Sequence, residues 1–179
     1  MTLAELQQAV AFLFAAAVYG QSYTAAVDAS GNATIALWNN ALGAQPDATA
    51  LSTALSGAQL AAAKTAQMET LVSAYSAARY GTPVTVTSGS TTLSFPADQA
   101  TQMNVSGYLV AYASPNTPPA SMPLADVNGV AQSVTYAELQ QMAKAIADQS
   151  VSAFNQLQTL QAQVAAATTI SAVQAVVWP

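Results

Sequence analysis

Between Thr135 and Val164, the positions Leu139, Ala143, Ile146, Ser150, Ala153, Leu157, Leu160 and Val164 follow one another in steps of three and four. At about 3.6 residues per turn this spacing holds one seam on one side of a helix, and only Ser150 interrupts its apolar character. Thr135 with Glu138 three residues later is a capping box, in which each side chain satisfies a backbone N–H that the helix start leaves unpaired. Such a rod is roughly 45 Å long at ~1.5 Å per residue, longer than a compact domain of this size needs. The expected contact of the seam is therefore a partner chain, with Leu139, Ile146, Leu157, Leu160 and Val164 as its principal residues; the chain's own core is the competing reading.

The same capping box opens the chain, where Thr2–Gln8 reads TLAELQQ against TYAELQQ at the later helix. Two uses of one good helix start and a duplicated element explain this equally well. Leu3, Leu6, Val10, Leu13 and Ala17 form a seam, but Phe12, Phe14 and Val18 make the predicted helix from 2 to 19 apolar nearly all round. A helix of that kind is buried. The uncharged run from Ala9 to Tyr19 is well short of the ~20 residues that span a bilayer, and no basic leader precedes it. Burial in a neighbouring chain is expected, through Leu6, Val10, Leu13, Phe14 and Val18, ahead of burial in the chain's own core or contact with a membrane.

Asp28–Asn32 and Gly43–Asp47 have turn chemistry, and Ala33–Leu42 between them reads as a short helix holding Trp38. Asp47 or Thr49 caps a second long helix, from about Ala50 to Tyr80, which Gly81 and Pro83 stop. The period then changes to two: Val84–Thr87 and Thr92–Phe95 flank Ser88-Gly89-Ser90 and predict a hairpin. Asp98 caps a helix that ends before Pro115. Met122–Val134 predicts a second hairpin turning at Asn128-Gly129, and Ile170–Trp178 predicts a short closing helix. The fold class expected is mainly α with short β-hairpins (α+β), its long helices forming a hairpin or bundle with a candidate coiled-coil seam. Residues 1–47 read as an apolar helix and linker, an assembly arm, and 48–179 as a helix–hairpin–helix–hairpin–long-helix domain.

Composition narrows what such a fold can do. Charged residues are 6% of the 179, against about 25% in an ordinary soluble domain, while 53% are hydrophobic. A lone globule carries more surface charge than this, so assembly is expected to hide much of the surface, ahead of the alternative that the chain works at low pH. Three basic residues (Lys64, Arg79, Lys144) and a net charge of −5 exclude a nucleic-acid groove, which needs clustered Lys and Arg. The absence of cysteine and histidine removes thiolate and imidazole metal sites, disulfides, cysteine nucleophiles and Ser-His-Asp triads. Glu5, Glu69, Asp98 and Glu138 sit at helix starts or on helix faces, where capping and solvation explain them. No catalytic residue, metal site or cofactor is expected, and the chain is read as no enzyme. Asn32-Ala-Thr34 and Asn104-Val-Ser106 are chance matches to glycosylation sequons.

Several of these features recur together elsewhere. The helix carrying Lys64 to Arg79-Tyr-Gly81, the β-segment with Phe95, and the helix from Asp98 to Ala113 are followed by Asp126-Val-Asn-Gly129-Val130 and Thr135-Tyr-Ala-Glu138-Leu139. The chain then closes with Ala165–Thr169, Val173, Val176 and Trp178-Pro179. From about residue 61 onward this order resembles DUF4376-like domains of tailed-phage and prophage tail-fibre and tail-associated proteins. Pro123-Leu124 stands where those domains often carry tryptophan, and Gln149 and Asn155 where they often carry a basic residue or histidine. The resemblance implies a structural virion protein of a tail fibre, baseplate or tail accessory, made in the host bacterial cytoplasm and carried in the virion. Its implied partners are other tail proteins and further copies of itself, a trimer among the options. A tail-fibre assembly chaperone and a small membrane-associated virion protein are the alternatives.

Overall fold

The carboxylates at the predicted helix starts do what their positions require. Thr2 N–H donates to Glu5 at 2.7 Å and Glu5 N–H to Thr2 Oγ1 at 3.3 Å, which starts helix α1 (Leu3–Leu13). Thr135 and Glu138 repeat both bonds at the same two distances and start α4 (Tyr136–Ala166). Asp47, not Thr49, receives Ala50 N–H at 2.7 Å and opens α2 (Ala48–Tyr80), and Asp98 receives Thr101 N–H at 2.7 Å ahead of α3 (Gln99–Ala111). Thr169 caps the short α5 (Ile170–Gln174), which stops four residues before the predicted end. These assignments come from a computed structural model that describes residues 1–88 and 91–179.

Three antiparallel two-stranded ribbons appear among the described residues: β1 (Tyr23–Val27) with β2 (Ala33–Trp38), β3 (Val84–Ser88) with β4 (Thr91–Phe95), and β5 (Met122–Ala125) with β6 (Ala131–Val134). The fold is thus α+β, dominated by long helices. The second and third ribbons are the expected hairpins; the turn expected at Ser88-Gly89-Ser90 lies largely outside the described residues. The first ribbon corrects the sequence reading. Ala33–Trp38 is a strand, with only Asn40–Leu42 in a 3₁₀ turn. Thr24 pairs with Leu37 and Ala25 with Ile35, so Ala36 is a bulge residue. The bulge moves the inward positions from 33 and 35 to 38 and points Leu37 outward, which hides the period of two from the sequence. Helix α1 is also shorter than expected, ending at Leu13 rather than Tyr19.

Two of the hairpin turns are chemically the same. Asp28 Oδ1 receives the N–H groups of Ser30 and Asn32, and Asp126 Oδ1 those of Asn128 and Val130, at 2.8–3.0 Å. Gly31 and Gly129 follow at φ +83° and +75°, where a side chain is strained.

The chain divides into two compact units, one of Met1–Gln67 with Val164–Ala175 and the other of Met68–Gln163 with Val176–Pro179. The first is built on Leu6, Ala9, Val10, Tyr23, Ala33, Leu51 and Ala54, with Trp38 edge-on to Phe14 at 5.0 Å and its indole N–H on Gly43 O at 2.9 Å. The second is built on alternating strand positions, Val84 and Val86, Met122 and Leu124, together with Phe95, Val134, Val105 of α3, and Leu139, Met142 and Ile146 of α4. Phe95 is fully enclosed. In this unit Gln149 Nε2 of α4 donates to the carbonyls of Ala78, Arg79 and Thr82 at 2.8–3.3 Å, closing the end of α2. In the first unit Lys64 Nζ of α2 donates to Ala165 O in the last turn of α4 at 2.7 Å.

Two outcomes follow from this bonding. Gln149→Ala leaves three helix-end carbonyls without their donor, and urea denaturation should show a loss of about 1–3 kcal/mol. Asp28 and Asp126 are held below the ordinary carboxylate value of 3.8, first by the N–H of Asn32 and of Val130. A pKa depressed by folding contributes stability that is complete above the unfolded value and lost as pH falls through the folded one. The contribution of these two groups should therefore hold on acidification until the pH passes below 3.8 and then fall, and the urea midpoint of the Asp28→Asn/Asp126→Asn variant, which keeps the Oδ1 acceptors but cannot be protonated, should drop less over that range.

Candidate assembly surfaces

Helix α1 divides the five residues expected at an assembly joint. Leu6 and Val10 have no exposed surface and lie in the first unit's own core, where Ala9 joins them. Phe14 packs on Trp38. Leu13 remains 41% exposed and Val18 50% exposed, the latter beyond the helix end. Steps of three and four from Leu6 to Val10 follow the inward face, and the chain leaves that face at Leu13. A partner therefore finds Leu13 and Val18 but not Leu6 or Val10. Phe12, which the sequence reading used only as a sign of all-round apolarity, adds to this outer surface. Its ring lies over Gly57 of α2, so close that a methyl group there would sit 3.0 Å from Phe12 Cε1. An open cleft of about 590 Å³ runs beside it, floored by Ala50, Thr53 and Ala54.

The seam of α4 is occupied by the chain itself. Leu139, Ile146, Leu157, Leu160 and Val164 are all buried, as is Ala153, while Ala143 and Ser150 are partly covered. Coiled-coil pairing with a partner has no access to this row. Other faces of the second unit stay open. On α3, Met103 is 66% and Val110 77% exposed; on α4, Val151 and Phe154 are 60% and 49% exposed. Val151 and Phe154 lie three residues apart and Met103 and Val110 seven, so each pair shares one side of its helix. Neither pair belongs to a repeat long enough to stand out in the sequence beside the longer inward rows.

Among the described residues the carboxylates do not gather into a cluster. Glu5, Asp28, Asp47, Asp98, Asp126 and Glu138 accept backbone N–H groups, and Asp148 pairs with Lys144 one turn away. Among the described residues no three acidic side chains come together as a metal cage would require, and no helix is long and apolar enough to cross a membrane. The clefts have the same character. The one beside Met1, of about 560 Å³, includes Glu5 and Asp47, whose oxygens are already engaged in helix caps.

With this geometry in place the match to known proteins can be stated. Residues 58–177 match the family described as "Domain of unknown function (DUF4376)". The chain belongs to this family. No curated protein and no solved structure matches it. The DUF4376 stretch begins within α2, one residue after the Gly57 that meets Phe12, and contains every residue of the second unit's core. The first unit's core, from Leu6 to Ala54, lies wholly outside it.

The contrast within α1 is directly measurable. Leu6→Ala should cost about 2–5 kcal/mol in chemical denaturation, because it opens a cavity in a closed core, whereas Leu13→Ala should change stability by less than about 1 kcal/mol.

Proposed function

We propose that this chain is a structural protein of a tailed bacteriophage, a tail-fibre, baseplate or tail-associated component, joined to its neighbours by burial of outward apolar helix faces. The observation that carries the reading is the pair of uncovered apolar faces in the DUF4376 region, Met103 with Val110 and Val151 with Phe154. Each sits on a formed helix, so a partner can cover it without ordering the backbone first, which removes one of the main costs of association. Burying roughly 600 Å² of such surface gains about 15 kcal/mol before association costs, enough for a permanent joint. The virion setting comes from the resemblance of residues 61–179 to tail-associated DUF4376-like domains. The low charge supports it, since a chain with 6% charged residues has few charges to desolvate when its surface is covered. No chemistry is assigned to the chain.

A second reading, a tail-fibre assembly chaperone, is favoured by one observation: the inner face of α1 is closed within its own unit and so is not held open for a neighbour. Mass spectrometry of purified particles separates the two. Stoichiometric copies in the virion support the structural role; presence in the lysate with absence from particles rejects it for the chaperone.

The joint itself is tested by light scattering. The full chain should form a defined oligomer whose mass is unchanged between low and high salt, as an apolar joint requires. Val151→Asp/Phe154→Asp should dissociate it while shifting stability by no more than about 1 kcal/mol, since both side chains are exposed in the single chain. An oligomer that survives this variant and dissolves in salt would sink the proposed joint.

A further inference from the structure

Arg79 has no anionic counterpart among the described residues. Lys144 pairs with Asp148 and Lys64 with the Ala165 carbonyl, but no carboxylate lies within ion-pair distance of Arg79. Its guanidinium is nonetheless well placed. Nη1 meets Tyr75 Oη at 3.4 Å, the group lies 4.8 Å from the centre of the Tyr80 ring, and Nε is buried with no acceptor.

Helix-end electrostatics do not explain this arrangement. A basic residue in a last turn usually serves the terminal carbonyls. Here Gln149 already serves those of Ala78, Arg79 and Thr82, and the guanidinium turns back one helical turn toward Tyr75. Burial of Nε and contact with the Tyr80 ring hold the group, and Nη2, which is neither bonded nor among the buried unsatisfied atoms, stays available as a donor beside Nη1. Tyr75 Oη accepts from Nη1, which leaves the phenol O–H free to donate. Two kinds of donor thus converge beside a positive charge that has no anion, and hydrogen bonds to an ionised acceptor are about twice as strong as neutral ones.

We propose that Arg79 and Tyr75 form a receiving site for an oxyanion, a carboxylate or a phosphate group, held end-on by the Nη edge with the Tyr75 hydroxyl as second donor. This inference is independent of the virion reading, because it rests only on contacts within the second unit.

The chain has a single arginine, so a uniformly ¹⁵N-labelled sample shows one arginine Nε–H correlation. The full chain is titrated separately with sodium acetate and with sodium phosphate at constant ionic strength. The Arg79 Nε–H signal should shift and saturate in the millimolar range with at least one of them. Tighter binding of acetate identifies a carboxylate, as an acidic side chain of a neighbouring protein would supply, and tighter binding of phosphate identifies a phosphate group. Tyr75→Phe should weaken the apparent affinity about threefold or more, while backbone amides of the same spectra report an intact fold. A signal that stays fixed, or drifts without saturation in both series, overturns the proposal; unchanged affinity in Tyr75→Phe removes Tyr75 from the site.

Discussion

Carboxylate oxygens that accept backbone N–H groups hold this chain in register. Glu5, Asp47, Asp98 and Glu138 start the four long helices, and Asp28 and Asp126 close two of the three ribbons. A protein with ordinary charge places most of its acids on the surface to face water. Here almost every acid is tied to the backbone within five residues of itself, and each bond satisfies a donor that helix or turn geometry would otherwise orphan. The alanine-rich helices need this help. Their side chains bury little area each, so helix ends would fray unless they were fixed chemically.

The same economy appears at the helix ends, where carbonyls rather than N–H groups are left over. Lys64 and Gln149 each reach from one long helix to the final turn of the other. Each bond lies within one compact unit, and each ties residues that are 70 or more apart in sequence. Long-range polar contacts of this kind do for these small-residue helices what large interlocking side chains do elsewhere. The bulkiest core contacts come from Phe95, Met122 and Met142 in the DUF4376 stretch, and outside it from Tyr23 with the partly buried Trp38 packed against its core. Those cores share no residue, and the family match takes in only one of them, although the first unit also draws on 58–67 and Val164–Ala175 from within the match.

Most of this was legible where a local rule has a local cause. The capping boxes, the Asn-Gly turn, the period of two in Val84 and Val86, and the inward row of α4 all appeared as expected, since each depends on residues a few positions apart. The first ribbon was not legible, because the bulge at Ala36 interrupts the alternation on which strand recognition depends. The partner of each apolar row was not legible either. Periodicity shows that Leu6, Val10, Leu139 and Ile146 share a side with their own kind, but it says nothing about what covers them, and in each case the chain covers them itself. The faces left open, with Met103, Val110, Val151 and Phe154, are short and carry no long repeat for sequence reading to find. Arg79 was visible as one of three cations, but its lack of an anionic partner is a property of the folded arrangement alone.

What remains on the surface therefore determines how the chain meets others. Apolar side chains on rigid helices attract any apolar face, and specificity then needs something directional beside them. Charge usually supplies it, but seven of this chain's eleven charged side chains are bonded to its own backbone. Shape and the few uncommitted polar groups are left to provide it. Arg79 is one such group, held against the Tyr80 ring, and Glu69, exposed on the same helix, is another. On the proposed reading, a joint of this kind binds through area and selects through a few polar points, so it should tolerate changes of apolar side chain that preserve volume but not changes that move those points.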